Sequence, residues 1–149
     1  MPLIKVNSAV KGGALEEQIN NDKAVVVYHW NSCGHCRVLM PLLYKLMELN
    51  RALNQKAQVF EVEYSNFNYI PNSLRNVNAF PYIVAYRKGE IVEEFNDQRT
   101  IPKLESFISR NSNIVQPSQL SSSKTKSQSK PIRKRRVLKS YKSSSQKSN

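Results

Sequence analysis

Apolar positions in the first 110 residues switch repeatedly between two spacings, and each switch marks a change of element. Leu3, Ile4 and Val6 make a short apolar run expected as a strand, and residues 8–20 read as a helix. Gly12-Gly13 weakens the first half of that helix by roughly 1 kcal/mol per glycine. Residues 24–30 hold the run Ala24-Val25-Val26-Val27-Tyr28, whose β-branched and aromatic content predicts a central strand buried on both faces. Further on, Val38, Leu39, Leu42, Leu43, Leu46, Met47 and Leu49 recur three and four apart. That is the spacing of an amphipathic helix running to about Asn50, and Pro41 inside it should bend it. Val59, Phe60 and Val62 predict another strand, residues 73–76 a short helical turn, and residues 82–86 a further strand. Lys88-Gly89 reads as a turn from which residues 90–95 return as a hairpin strand. Ile101, Leu104, Phe107 and Ile108 mark a last helix that opens at Thr100-Ile101-Pro102. The order β-α-β-α-β-α-β-β-α predicts an α/β fold, a mixed central sheet flanked by helices on both faces.

The periodicity stops near Pro117. Beyond it the chain is Ser, Lys, Arg and Gln, with Ser121-Ser122-Ser123, Arg133-Lys134-Arg135-Arg136 and Ser143-Ser144-Ser145. So little apolar surface cannot offset an ordering cost of roughly 1–2 kcal/mol per residue. Residues 1–115 are therefore expected as one folded domain and residues 116–149 as a disordered basic tail. The 149 residues are 40% hydrophobic, enough for a single modest core.

Position changes the meaning of the net charge of +12. All eleven acids lie between Glu16 and Glu105, against thirteen bases from Lys5 to Arg110, which leaves that stretch at +2. The other ten bases fall between Lys124 and Lys147 with no acid among them. A cluster such as Lys130-Pro131-Ile132-Arg133-Lys134-Arg135-Arg136 fits nuclear localisation, sequence-nonspecific nucleic acid or an acidic protein, or a solubilising extension. Tyr141 is the one aromatic there, so base stacking is not expected. No apolar run approaches the ~20 residues of a bilayer span, and the N-terminus lacks the pattern of a secretory signal. The expected location is the cytoplasm, with the nucleus or a virion as alternatives. Two cysteines three apart provide no disulfide framework.

Those cysteines carry the chemistry. Cys33-Gly34-His35-Cys36 stands where the buried strand gives way to the amphipathic helix. Free N–H groups and the positive end of the helix dipole there favour a thiolate on Cys33. Such a thiolate can attack a disulfide, and Cys36, one turn on, can attack the mixed disulfide and release the reduced product. Gly34 leaves the loop sterically open, and His35 adds a charge or donor near the Cys33 sulfur. A zinc site is an alternative, but Cys33, Cys36, His29 and His35 are poorly spaced to close a tetrahedron. His29 reads as a packed or hydrogen-bonded strand residue with tuning of Cys33 as the alternative, and Trp30 as a core or rim aromatic.

Here the chain resembles the thioredoxin superfamily, over residues 1 to about 112, and Cys33-Gly34-His35-Cys36 is the sequence usual in the catalytic domains of protein disulfide isomerase. Pro41 stands where that family kinks its active-site helix, Phe80-Pro81-Tyr82 where it has a cis proline facing the cysteines, and Lys88-Gly89-Glu90 at its last turn. The resemblance implies a thioredoxin fold and thiol–disulfide exchange with cysteine-containing proteins, with Cys33 as nucleophile and Cys36 as resolving thiol. It also implies that Pro81 shapes the groove for the substrate chain. No metal or organic cofactor is expected. The expected partners are protein thiols and disulfides and an electron donor or acceptor that the residues do not name, the protein acting as a monomer.

Three positions depart from the family. Val27 stands where the family has a buried acid, Glu61 where it has a buried lysine, and Ser32 where an aromatic precedes the first cysteine. Glu61 is therefore a candidate to move protons for Cys36 from the neighbouring strand; the competing reading makes it a solvated strand residue. A different class of function is a noncatalytic interaction module, docked through its tail on nucleic acid or an acidic partner.

Overall fold

In a computed structural model of the chain, the residues described are 3–50 and 57–112. The expected boundary at 115/116, the disorder of the tail and the basic cluster at 130–136 lie outside them. The elements are β1 (Ile4–Lys5), α1 (Ala9–Asn21), β2 (Lys23–His29), α2 (Gly34–Leu49), β3 (Val59–Glu63), β4 (Tyr82–Arg87), β5 (Glu90–Glu94) and α3 (Ile101–Arg110). The strands form one sheet in the order β1-β3-β2-β4-β5. β2 is central, parallel to β3 and antiparallel to β4, with Val27 level with Glu61 on one side and Ile83 on the other. This is the mixed sheet of a thioredoxin fold. No helix among the described residues is long and apolar enough to cross a membrane.

The uninterrupted apolar run of β2 follows from its place between two cores. Successive side chains point to opposite faces. Val25 and Val27 therefore join Leu39, Leu43 and Leu46 of α2 and Leu104 and Phe107 of α3. Ala24, Val26 and Tyr28 join Leu15 and Ile19 of α1 on the other face. Tyr28 carries its hydroxyl into that second core and satisfies it on the Tyr86 hydroxyl at 3.0 Å, as a buried polar group requires.

Between β3 and β4 the chain forms two 3-10 helices, Tyr64–Tyr69 and Asn72–Leu74. The short turn expected at 73–76 is the second of these, shifted by about a residue, and no α-helix stands there. The first packs against α1 so closely that a Cβ at Gly12 would lie 1.8 Å from the Tyr69 carbonyl oxygen. Gly12 thus serves a backbone contact. At the β4–β5 turn Lys88 and Gly89 both take positive φ, 53° and 86°, the geometry of a tight hairpin. The tip of that hairpin reaches the end of α1. Lys88 N–H donates to the Asp22 carbonyl at 3.0 Å and Gly89 N–H to the Ile19 carbonyl at 2.8 Å, and Lys88 Nζ donates to the Asn21 carbonyl at 2.8 Å.

Candidate active site

β2 ends at His29, and four residues later Cys33 opens α2 as its N-cap. The intervening turn is tied at three points. Cys33 N–H donates to the Trp30 carbonyl at 2.9 Å, Arg37 Nη1 to the Asn31 carbonyl at 3.0 Å, and Asn31 N–H to Glu63 Oε2 at 2.8 Å. The Cys33 sulfur accepts the Cys36 N–H at 3.2 Å, taking up one of the donors that every helix N-terminus leaves free. As a thiol it donates to the Phe80 carbonyl at 3.6 Å, and the Phe80–Pro81 bond is cis. Pro81 therefore lies near Cys33, immediately before β4, the strand that pairs directly with β2. α2 continues through Pro41, whose missing N–H leaves the Arg37 carbonyl without a helical donor.

The two free thiols differ in setting: Cys33 is half-buried and Cys36 is 1% exposed. Partial burial pushes the Cys33 thiol up. Hydrogen bonds from the Cys36 side chain and from the Cys36 and His35 N–H groups, with the Arg99 charge, outweigh it and hold Cys33 below its ordinary 9.0. Burial, then the hydrogen bond to Cys33, pushes Cys36 up to about 11, against an opposing bond from the Trp30 backbone. One thiol is thus held toward its thiolate and its neighbour toward its protonated form.

His35 is exposed at the second position of α2. Its backbone N–H supports Cys33, while its imidazole has no hydrogen-bond partner among the described residues. A Cβ at Gly34 would meet nothing within 4 Å, so the space beside it is open. Among the described residues no three His, Cys, Asp or Glu side chains gather as a metal-binding set. The His29 imidazole engages Glu61.

Glu61 is 4% exposed, so it is a buried residue rather than a solvated one. Its Oε1 accepts from the Tyr44 hydroxyl at 2.9 Å and lies 3.0 Å from His29 Nε2. Its Oε2 is buried without a partner among the described residues. The carboxylate reaches neither cysteine directly. His29 lines one cavity of about 270 Å³ with Glu61 and a second of about 340 Å³ with Cys36.

Sequence reasoning missed Arg99, Tyr44 and the aromatic cluster around Cys33. Tyr64 packs at 5.7 Å from Trp30, 5.3 Å from Phe67 and 5.6 Å from Phe80, measured between ring centres. Trp30 and Tyr64 remain 42% and 51% exposed, so Trp30 is a rim aromatic. The Tyr64–Phe67 spacing of three was the available signal; Arg99 had none, since only the fold brings it near the cysteines.

The sequence profile of the Thioredoxin family matches residues 6–110. The chain belongs to the thioredoxin family. It is 34% identical over 105 residues to mitochondrial thioredoxin-2 of Schizosaccharomyces pombe, a match spanning 68% of this chain and 75% of that protein. It is 29% identical over 87 residues to chloroplastic thioredoxin Y1 of Arabidopsis thaliana, spanning 58% of this chain and 48% of that one. Among solved structures, the reduced thioredoxin pre-protein of Schistosoma mansoni is similar with a TM-score of 0.54 at 26% identity, covering 74% of this chain and 99% of that one. As a thioredoxin-family member carrying its cysteine pair at Cys33 and Cys36, the protein is a thiol–disulfide oxidoreductase.

Proposed function

We propose that this thioredoxin exchanges disulfides with cysteine-containing proteins, with Cys33 as the nucleophile and Cys36 as the resolving thiol. The observation that carries the reading is the split between the two sulfurs. Cys33 caps the helix with its sulfur on the Cys36 N–H at 3.2 Å, half-exposed and lowered, whereas Cys36 is buried and raised to about 11. A Cys33 thiolate attacks a substrate disulfide, forming a Cys33–substrate bond and releasing the first substrate thiolate. Cys36 then loses its proton and attacks Cys33, the Cys33–substrate bond breaks, and the second substrate thiolate leaves. The substrate disulfide is reduced by two electrons and the pair becomes a disulfide; the reverse sequence oxidises a dithiol. An electron donor or acceptor closes the cycle.

Pro81 follows Phe80, whose carbonyl meets the Cys33 sulfur, and lines an open groove of about 1150 Å³ with Arg99 and Asn78, which supports a role in seating the substrate chain. Exposed Trp30 and Tyr64 add an apolar rim for a protein substrate. Insulin reduction with dithiothreitol as electron source tests the reading. The unmodified protein should accelerate it, Cys33→Ser should abolish the acceleration, and Cys36→Ser should accumulate a covalent substrate adduct visible on a non-reducing gel. Acceleration that survives Cys33→Ser would sink the assignment.

A further inference from the structure

The resolving step needs a base, because Cys36 keeps its proton up to about 11, and Val27 offers none. We propose that His29 is the proton acceptor for the Cys36 thiol and that Glu61 is its positioning carboxylate. The inference rests on the dithiol reading above and adds the route of the proton.

Four observations place His29 in that role. It lies two residues beyond Val27 on β2, so its side chain leaves the sheet on the same face, toward α2. It lines the cavity of about 340 Å³ that also contains Cys36, and the backbone of the next residue, Trp30, bonds the Cys36 thiol. Its Nε2 is engaged by Glu61 at 3.0 Å. An ionised carboxylate only accepts, so Nε2 carries the hydrogen and Nδ1 keeps its lone pair. Tyr44, donating to the same Oε1 at 2.9 Å, locks the carboxylate in place. Both of these bonds fall on Glu61 Oε1, and Glu61, unlike His29, does not line the cavity that contains Cys36.

The other charged and titratable groups facing His29 do not compete for the role. Glu63, level with His29 on β3, is occupied by the N–H groups of Asn31 and Ser65, each at 2.8 Å. Arg37 is turned to the Asn31 carbonyl, Lys5 of β1 stacks over the Tyr44 ring at 5.6 Å, and Tyr44 is held on Glu61.

In the mixed disulfide, the Cys36 S–H proton passes through solvent in the shared cavity to His29 Nδ1. The Cys36 electron pair forms the bond to Cys33, and the Cys33–substrate bond breaks with its pair leaving on the substrate thiolate. The new imidazolium faces the Glu61 carboxylate, which stabilises it, and later gives its proton to water or, in the oxidising direction, back to Cys36 as that sulfur leaves.

A bis(nitrobenzoate) disulfide reads the two steps separately, since each releases one coloured thiolate. Rapid mixing with the reduced full-length protein should give a first phase from Cys33 and a second from Cys36. His29→Gln is expected to keep the first phase within about twofold and to slow the second about 100-fold near neutrality, the usual worth of a positioned base. It should also change how the second phase depends on pH. Glu61→Gln should slow the second phase by a smaller factor and leave the first unchanged. A second phase of unaltered rate and pH profile in His29→Gln overturns the proposal; if that variant does not fold, the same outcome in Glu61→Gln overturns it. Failure of the dithiol reading looks different: the first phase is missing, or it survives Cys33→Ser.

Discussion

Replacing Gly12 by alanine should destabilise the protein, although alanine is the better helix former by about 1 kcal/mol. The added Cβ would stand 1.8 Å from the Tyr69 carbonyl oxygen and 2.8 Å from its carbon, roughly 1.5 Å inside normal contact. Both opposing atoms are backbone, so no rotamer change relieves the clash. α1 must lift from the sheet, loosening Leu15 and Ile19 in the core, or the 3-10 helix must retreat. Overpacking of this kind costs about 1–3 kcal/mol and here exceeds the helical gain. Taking about 2 kcal/mol for the overpacking against about 1 kcal/mol for the helical gain leaves a net loss of about 1 kcal/mol, and at about 4 °C per kcal/mol in a domain of this size Tm should fall by about 4 °C. Gly13, one residue on, provides the control, because a Cβ there meets nothing within 4 Å. Gly13→Ala should therefore collect the helical gain alone, about 1 kcal/mol and about 4 °C upward. Far-UV circular dichroism melts of both variants read the two signs. A Gly12→Ala protein melting at or above the parent would refute the close-approach argument.

The two thiols predict a pH signature. In the reduced protein, iodoacetamide near neutral pH should label Cys33 and spare Cys36 until the pH nears 11, as mass spectrometry of the labelled peptides would show. The lowered Cys33 contributes stability present above the ordinary 9.0 and lost as pH falls through its folded value, while the raised Cys36 contributes stability present below 9.0 and lost as pH rises through about 11. Relative to a Cys33→Ser/Cys36→Ser variant, Tm should therefore peak near 9.0; a monotonic difference would contradict the assignment of directions. Arg99→Gln removes a cation that lowers both thiols, so the first exchange phase should slow at neutral pH, more at low salt than at high. Equal slowing at both ionic strengths would remove the electrostatic explanation. Tyr64→Ala should raise KM for insulin about two- to tenfold, the worth of one aromatic contact, without changing the rate with a small aromatic disulfide.

Periodicity made most of this fold legible because β2 is buried on both faces and α2 on one, and such burial leaves a direct trace in spacing. It failed between β3 and β4, where 3-10 turns of three residues each space Tyr64, Phe67 and Ile70 evenly but too briefly to show a helical face. The reactive pair could be read from its own spacing, since both cysteines and their helix end are local. The groups that tune it are not local. Phe80 lies 47 residues from Cys33, and Glu61 lies 32 from His29, joined only because β2 and β3 pair in the register that sets Val27 beside Glu61. A single polar residue ending an apolar run, as His29 does, names no partner until that register is known. The helical cost of Gly12 is local in the same way, and the Tyr69 carbonyl that α1 meets, invisible in spacing, is what makes the glycine necessary there.

The tip of the β4–β5 hairpin supplies donors to three carbonyls at the end of α1, those of Ile19, Asn21 and Asp22. Helix ends ordinarily leave such groups to water or to a cap of their own. Here the last turn of α1 is closed by a segment far along the chain, so neither piece can fray without undoing the other. Amide hydrogens of Lys88, Gly89 and the final turn of α1 should accordingly exchange with solvent through one shared opening, with one free energy and one response to denaturant. The helix on one face of the sheet and the edge of that sheet are thereby a single unit of motion.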